Sequence, residues 1–301
     1  MEKRIMKVGI SIIVPCYNNG CYIKELIESI ENIQCKNPYE ILIIDDKSEC
    51  TSWLKNIRSK NVEVIFNKYN CGVQTARNIG LNKAKYKYIF PLDADDIVAK
   101  GDTRNNFIDK AINLMEKNED IAFVHGLVEM FGAFTGYTIS AYPINAKMIA
   151  NKHHVQTSII YRKEDGIIAN GYAKEIVKWQ DWSFGVALLD GRIRQGKKIE
   201  IGFINMTSYM YRIHNDKRIS QIEVNEKEMI KKTIMLYPYF FECFYGKKDY
   251  DVLTQIIANA KPSRLIDLLY TAQFNLDIAK AIVANRKYNV FNNNDIGDSI
   301  P

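Results

Sequence analysis

The sequence has no apolar run near the roughly 18 residues that a membrane-spanning helix needs, and its longest, "VGISIIVP" and "EILII", stop far short. The opening "MEKRIMKV" lacks the apolar stretch of a secretory signal. A soluble, cytoplasmic protein is expected, with peripheral contact at the inner face of a membrane left open. The six cysteines form no CxxC pair and have no histidine at zinc spacing, so they read as reduced thiols. No GxGxxG follows the first apolar run, where a nicotinamide-binding enzyme would carry it. Repeats, low-complexity tracts and Gly/Ser linkers are also missing, and the polar tail "NNNDIGDSIP" is the closest to a disordered composition.

The 301 residues, 47% hydrophobic and 25% charged, are enough for one large domain, or a domain with an appendage, around a real core. The formal net charge of +6 fits an ordinary solvated surface as well as an anionic substrate or a lipid surface. Nucleic acid is not among the expected partners.

Two hydrophobic periods alternate through the first hundred residues. "GISIIVP" and "YEILIID" are continuous apolar, β-branched runs of the kind covered on both faces in a parallel sheet. Between them Ile23, Leu26, Ile27, Ile30 and Ile33 make one helical stripe, giving a βαβ unit. "VEVIF" and "YKYIF" predict two more strands, separated by a helix over 73–83. The expected fold is α/β: a doubly wound, mostly parallel sheet flanked by helices. Further on, "TRNNFIDKAINLMEKNED" predicts an amphipathic helix, and "IAFVHG", "TSIIYRKE" and "MTSYMYRIH" predict strands. "DWSFGVALLDGR" predicts a helix opening at Asp181 and closing at Gly191. The domain is placed at 1–225, and "EMIKKTIMLYPYFFECFYG" and "SRLIDLLYTAQFNLDIAKAIVA" predict a helical C-terminal appendage over 226–301.

Ligands of such sheets bind beyond the carboxyl ends of the strands. The four loops at that edge read "PCYNNG", "DDKSECTS", "NKYNCG" and "PLDADD", bringing an aromatic ring, two acid clusters and an amide-rich turn together. In the last, Asp93, Asp95 and Asp96 repel one another unless a cation sits among them. Acids two apart suit Mg²⁺ or Mn²⁺, which completes its shell with water and phosphate oxygens. The plainer reading is an Asp-rich turn capping a helix that starts near Asp102. An aspartyl-nucleophile phosphatase also carries DxD after a strand, but after the first of its domain, and here the motif follows the fourth.

Taken in order, "SIIVPCYNNGCYIKELIESI", "YEILIIDDKSECTS", "NKYNCGVQTARNIGLNKAKYKYIFPLDADDIV" and "MYRIHNDKRIS" resemble the successive blocks of the family 2 glycosyltransferases of GT-A fold, over about residues 9–220. The resemblance implies a metal-dependent, inverting enzyme using Mn²⁺ or Mg²⁺. It would move a hexose or hexosamine from a nucleoside-diphosphate sugar, a UDP-sugar foremost, to a glycan, lipid-linked or protein-linked acceptor. It implies that Pro15 and Tyr17 border the base and that Asp45 and Asp46 bond base or ribose. Gly72 would let backbone approach the nucleotide, and Arg77 would meet ribose or diphosphate, against the plainer reading of a helix-surface ion pair. Asp93 with Ala94 would contact ribose or sugar, Asp95 would ligate the metal, and Asp96 would back it or touch the sugar. His214 resembles the additional metal ligand, and Arg212 would neutralise diphosphate.

"KWQDWS" falls where the family carries a Glu-Asp pair, with Gln180 in place of the Glu. Asp181 is the candidate general base, or an N-cap of the helix it opens. Gln180, Trp179 and Trp182 are the candidate acceptor contacts, the indoles stacking on sugar faces or else serving as core aromatics. The C-terminal helices would seat the acceptor, a membrane surface or another subunit. A nucleotide-sugar-binding subunit without catalysis is the alternative function.

Overall fold

The computed structural model describes residues 6–214, 223–260 and 263–284. The "NDKRIS" end of the last block and the polar tail lie outside them.

The N-terminal half follows the alternation of the sequence. Strands β1 (Lys7–Cys16), β2 (Tyr39–Asp45), β3 (Val62–Phe66) and β4 (Tyr86–Pro91) pair in parallel in the order β3-β2-β1-β4. Helices α1 (Ile23–Asn32), the short α2 (Ser52–Lys55) and α3 (Val73–Lys83) connect them. Ile10, Ile12 and Val14 of β1 and Ile41 and Ile43 of β2 pack toward α1, while Ile13, Leu42 and Ile44 enter the core on the opposite face. This two-sided burial is why neither strand alternates in sequence. α3 lies close on the sheet because Gly80 has no side chain; a Cβ there would stand 2.4 Å from Ile13 Cγ2.

Past β4 the sheet changes direction. The elements are β5 (Ile97–Val98), α4 (Phe107–Lys117), β6 (Ile121–Gly132), β7 (Gly136–Tyr137), α5 (Ala146–Ala150), β8 (Ile160–Arg162), α6 (Lys163–Ile168), α7 (Gln180–Arg194) and β9 (Glu200–Ile213). Among the described residues the sheet runs β3-β2-β1-β4-β8-β6-β9-β5, with β7 on β6. β8 is antiparallel to both β4 and β6, and β5 is antiparallel to β9, while β6 and β9 are parallel. The sheet is therefore mixed, its parallel character confined to β1–β4 and the β6–β9 pair. Asp102 caps no helix: its carboxylate accepts from the amides of Arg104 and Asn105, and α4 begins later, capped by Asn106, whose side chain accepts from Asp109 N.

The C-terminal part is helical: α8 (Glu226–Leu236), α9 (Pro238–Tyr245), α10 (Tyr250–Ala260), α11 (Arg264–Phe274) and α12 (Leu276–Ala284). The single helix expected over 228–246 is two, because Pro238 cannot donate to the preceding turn and starts α9 instead. Ile230, Ile234, Phe240 and Phe241 join α7 in the core beneath the sheet, and Leu268, Ile278 and Ile282 pack with Leu127 and Tyr142 in a smaller cluster. No helix among the described residues is long and apolar enough to cross a membrane. All six cysteines are unbridged.

Candidate active site

The loops after β1, β2, β3 and β4 do converge at one sheet edge, and two acids organise it. Asp46 is buried and accepts from Asn67 Nδ2 (2.9 Å), from Cys71 N (3.0 Å) and from Gly72 N (2.7 Å). Its carboxylate is spent on holding the β3–α3 loop. Gly72, at φ 85°, precedes α3 in a conformation that favours glycine. Asp45 is buried beside it. One oxygen receives Ser48 N at 3.3 Å and the other, Oδ1, has no partner among the described residues, so Asp45 is the acid of the pair with bonding capacity to spare. Pro15 ends β1, and Tyr17, just past it, is exposed.

Arg77 is not on a helix surface. Its side chain is 5% exposed and forks between two carboxylates, Nη2 to Asp93 Oδ1 at 2.8 Å and Nη1 to Asp181 Oδ1 at 3.1 Å. The guanidinium also lies 5.1 Å from the centre of the Tyr172 ring. Burial works against its charge, but Asp93 and Asp181 outweigh burial and raise its pKa further. Arg77 thus joins two protein acids. Asp181 Oδ2 accepts from Thr157 Oγ1 at 2.9 Å, so both oxygens of the candidate base are oriented. Asp181 sits in the first turn of α7 and does not cap it; the cap position is Trp179, which has the left-handed φ of 59°.

In the β4 loop Ala94 is buried and the three acids separate by role. Asp95 Oδ2 stands 2.7 Å from His214 Nε2, an oxygen and an imidazole nitrogen brought together from positions 119 apart. Asp96 is buried; Oδ1 accepts from Arg212 N at 2.9 Å and Oδ2 has no partner among the described residues. Burial, then the charges of Asp93 and Asp95, push its carboxyl well above the usual carboxylate range, with Arg212 pulling the other way. Arg212 itself donates from Nε to Asp95 O (2.7 Å), pairs with Glu25 and lies over the rings of Phe131 and Tyr22. It braces the acid loop.

These residues fit a divalent cation. Asp95 and His214 offer hard oxygen and imidazole donors at one point, and Asp96 Oδ2 close by is a buried oxygen without a partner among the described residues. Among the described residues no group of three or more His, Cys, Asp or Glu forms a complete cage, so the remaining ligands would have to come from substrate or water.

On the acceptor side, Gln180 is partly exposed and its amide donates to Val177 O. Trp179 is half-buried with Lys152 Nζ 4.1 Å from its ring centre. Trp182 is a core residue: it is 3% exposed, donates Nε1 to Ile149 O and meets Phe241 edge-on. No stacking face is left for a sugar there. Thr157, Tyr172 and Glu25 were not singled out in the sequence; each lies far along the chain from the group it serves, and none carries a motif.

A conserved-domain model described as "Glycosyl transferase family 2" matches residues 11–168, and the chain belongs to that family. An uncharacterized glycosyltransferase of Haemophilus influenzae is 40% identical over 121 residues, 39% of this chain and 46% of the relative, so the match spans about half of that protein. Among solved structures, S. aureus TarS 1-349 in complex with UDP-GlcNAc superposes with a TM-score of 0.64 at 17% identity, covering 91% of this chain and 82% of that one. The mannosyltransferase PcManGT of Pyrobaculum calidifontis, in complex with GDP-Man and Mn²⁺, does so at 0.50 and 13% identity, covering 95% and 80%. At such identities the structural likeness speaks for the GT-A type of fold.

Proposed function

We propose that the chain is a metal-dependent, inverting glycosyltransferase that moves a hexose or hexosamine from a UDP-sugar to a hydroxyl of a glycan, lipid-linked or protein-linked acceptor. The observation that carries this reading is the Asp93–Arg77–Asp181 bridge, which ties the donor-side acid loop to a carboxylate oriented through both oxygens. Asp181 accepts the proton of the acceptor hydroxyl as that oxygen attacks the anomeric carbon from the face opposite the departing diphosphate, which inverts the centre. Arg77 and Thr157 hold both oxygens of Asp181 in place. Asp45, with its free oxygen, bonds base or ribose, and Tyr17 covers the base. Asp95 and His214 would hold Mn²⁺ or Mg²⁺, which when bound neutralises charge on the leaving nucleoside diphosphate. The UDP-GlcNAc and GDP-Man complexes of the structural neighbours support a nucleotide-sugar donor, and the Mn²⁺ of one supports the cation.

Residues 1–225 are read as the transferase domain and 226–301 as its helical appendage. The exposed Ile266, Leu269 and Leu276 of α11 and α12 give that appendage a face for a membrane surface or a subunit in the cytoplasm. One observation favours a binding subunit without catalysis: both oxygens of Asp181 are occupied, and Gln180 replaces an acid. The test is calorimetry with UDP and Mn²⁺ alongside sugar transfer, for wild type, Asp181→Asn and Asp95→Ala. Transfer lost and UDP binding kept in Asp181→Asn, with metal-dependent binding lost in Asp95→Ala, is expected. Metal-independent UDP binding that Asp95→Ala leaves unchanged refutes the metal assignment, and transfer that survives Asp181→Asn refutes the base.

A further inference from the structure

The Arg77 guanidinium is held at two of its three nitrogens. Nη2 and Nη1 donate to Asp93 and Asp181, while Nε is buried and without a partner among the described residues. Two bonds at one edge leave the plane of the group free to swing about the line between the two acids. Its face is met by the Tyr172 ring, whose centre lies 5.1 Å from Cζ. Tyr172 is 3% exposed, so it is a buried support and not a substrate contact.

The ring is itself fixed from both sides of the bridge. It stacks on Phe184 of α7, with centroids 3.9 Å apart and planes 13° from parallel, and Tyr161 meets Phe184 edge-on. Phe184 lies three residues past Asp181, on the same face of that helix. The backbone of Tyr172 is clamped to α3: Asn78, the residue after Arg77, accepts from Tyr172 N at 2.8 Å and donates to Tyr172 O at 2.9 Å. Gly171 makes the clamp possible, because at its φ of 66° a Cβ would stand 2.3 Å from Asn78 Oδ1. One turn earlier on α3, Gln74 donates to Ile176 O of the same loop. Tyr172 therefore reaches from the helix that carries Arg77 to the helix that carries Asp181.

We propose that Tyr172 is a positioning residue for Asp181 that acts through Arg77: its ring backs the guanidinium in the two-acid fork and so keeps the candidate base at the angle that transfer needs. The proposal rests on the transferase reading given above. A cation over an aromatic face is held more strongly when both are desolvated, as they are here. The guanidinium meets the face of the ring, so phenylalanine should serve in place of tyrosine and an aliphatic side chain should not.

The experiment follows UDP release from UDP-N-acetylglucosamine with Mn²⁺ and p-nitrophenyl pyranosides as acceptor probes. Wild type, Tyr172→Phe, Tyr172→Leu and Asn78→Ala are compared, with UDP affinity by calorimetry reporting that the donor side is folded. Tyr172→Leu should lower kcat by about tenfold at unchanged donor KM, and Tyr172→Phe should recover most of that loss. Asn78→Ala releases the 171–172 backbone without emptying the core and should lower kcat severalfold, which keeps the test open if Tyr172→Leu does not fold. In an Arg77→Met background Tyr172→Leu should cost nothing further, because the two residues act as one unit. The ¹⁵N–¹H spectrum of the Arg77 guanidinium, assigned by its loss in Arg77→Lys, reads the same link without an acceptor: Nη resonances separate in wild type and Tyr172→Phe should merge in Tyr172→Leu. The proposal is overturned by equal losses in Tyr172→Phe and Tyr172→Leu, by a full Tyr172→Leu loss in the Arg77→Met background, by Nη resonances that stay separate, or by kcat unchanged in both Tyr172→Leu and Asn78→Ala. A wild type that binds UDP and transfers no sugar would instead remove the transferase reading, and the proposal with it.

Discussion

Replacing Arg77 by Met, of similar length and without charge, tests the central bridge directly. The wild-type guanidinium is 5% exposed and sits 2.8 Å from Asp93 and 3.1 Å from Asp181, whose side chains are 31% and 22% exposed. Removing one member of a buried ion pair costs about 3–5 kcal/mol, because the partner charge loses its compensation. Two carboxylates are stranded here, but both reach some solvent, so about 3 kcal/mol is the expected loss. The shift per kcal/mol is roughly 2–4 °C at 150–250 residues and smaller for this longer chain, so Tm should fall by about 5 °C. Arg77→Lys keeps the charge without the two-armed fork and should recover part of the loss. Thermal unfolding followed by circular dichroism measures both variants, and transfer should fall further than UDP affinity does. An Arg77→Met protein that melts within about a degree of wild type would refute the reasoning, for it would mean that Asp93 and Asp181 need no cation between them.

Thr157→Val should lower the rate of transfer by about tenfold or more at unchanged UDP affinity, since a hydrogen bond to an ionised group is worth about 1.5–3 kcal/mol; single-turnover kinetics separates the two quantities. Asp46→Asn should weaken UDP binding without touching UDP, because the carboxylate that gathers Asn67, Cys71 and Gly72 loses an acceptor; calorimetry reads the change. His125 is buried, and burial pushes its pKa down to about 4 from 6.5. The unfolded chain therefore takes up a proton between pH 6.5 and 4 that the folded chain refuses, so stability should fall as pH falls through that window, by on the order of 3 kcal/mol. His125→Gln keeps an acceptor for Ile144 N and should flatten the slope; denaturant titrations at several pH values decide.

What was legible in the sequence is what a short window contains. β1, α1, β2, α3 and β4 were readable from their periods, because a helix stripe or a doubly covered strand is a local pattern. Strand direction is not local: β8 runs against β4 and β6, and nothing within "TSIIYRKE" encodes that. The same limit applied at the site. Asp95 was singled out as one of two acids two apart and His214 through a family resemblance, and their proximity spans most of the domain. Arg77 was expected at ribose or diphosphate, and the two acids it pairs with, Asp93 and Asp181, lie 16 and 104 residues away. Arg212 was assigned to the diphosphate and is tied to Glu25, 187 residues back. The core position of Trp182 had a usable signal: Trp182, Val186 and Leu189 share one helical face, and all three are buried.

The bridge through Arg77 also has a bearing on synthesis. A chain emerging from the ribosome at about 5–20 residues per second completes its parallel half-sheet, nucleotide loops and acid loop well before Asp181 exists as an amino acid. Until α7 docks, Arg77 has only Asp93 to answer it. On the proposed function, a donor sugar beside Asp181 therefore cannot arise on a nascent or truncated chain that ends before α7.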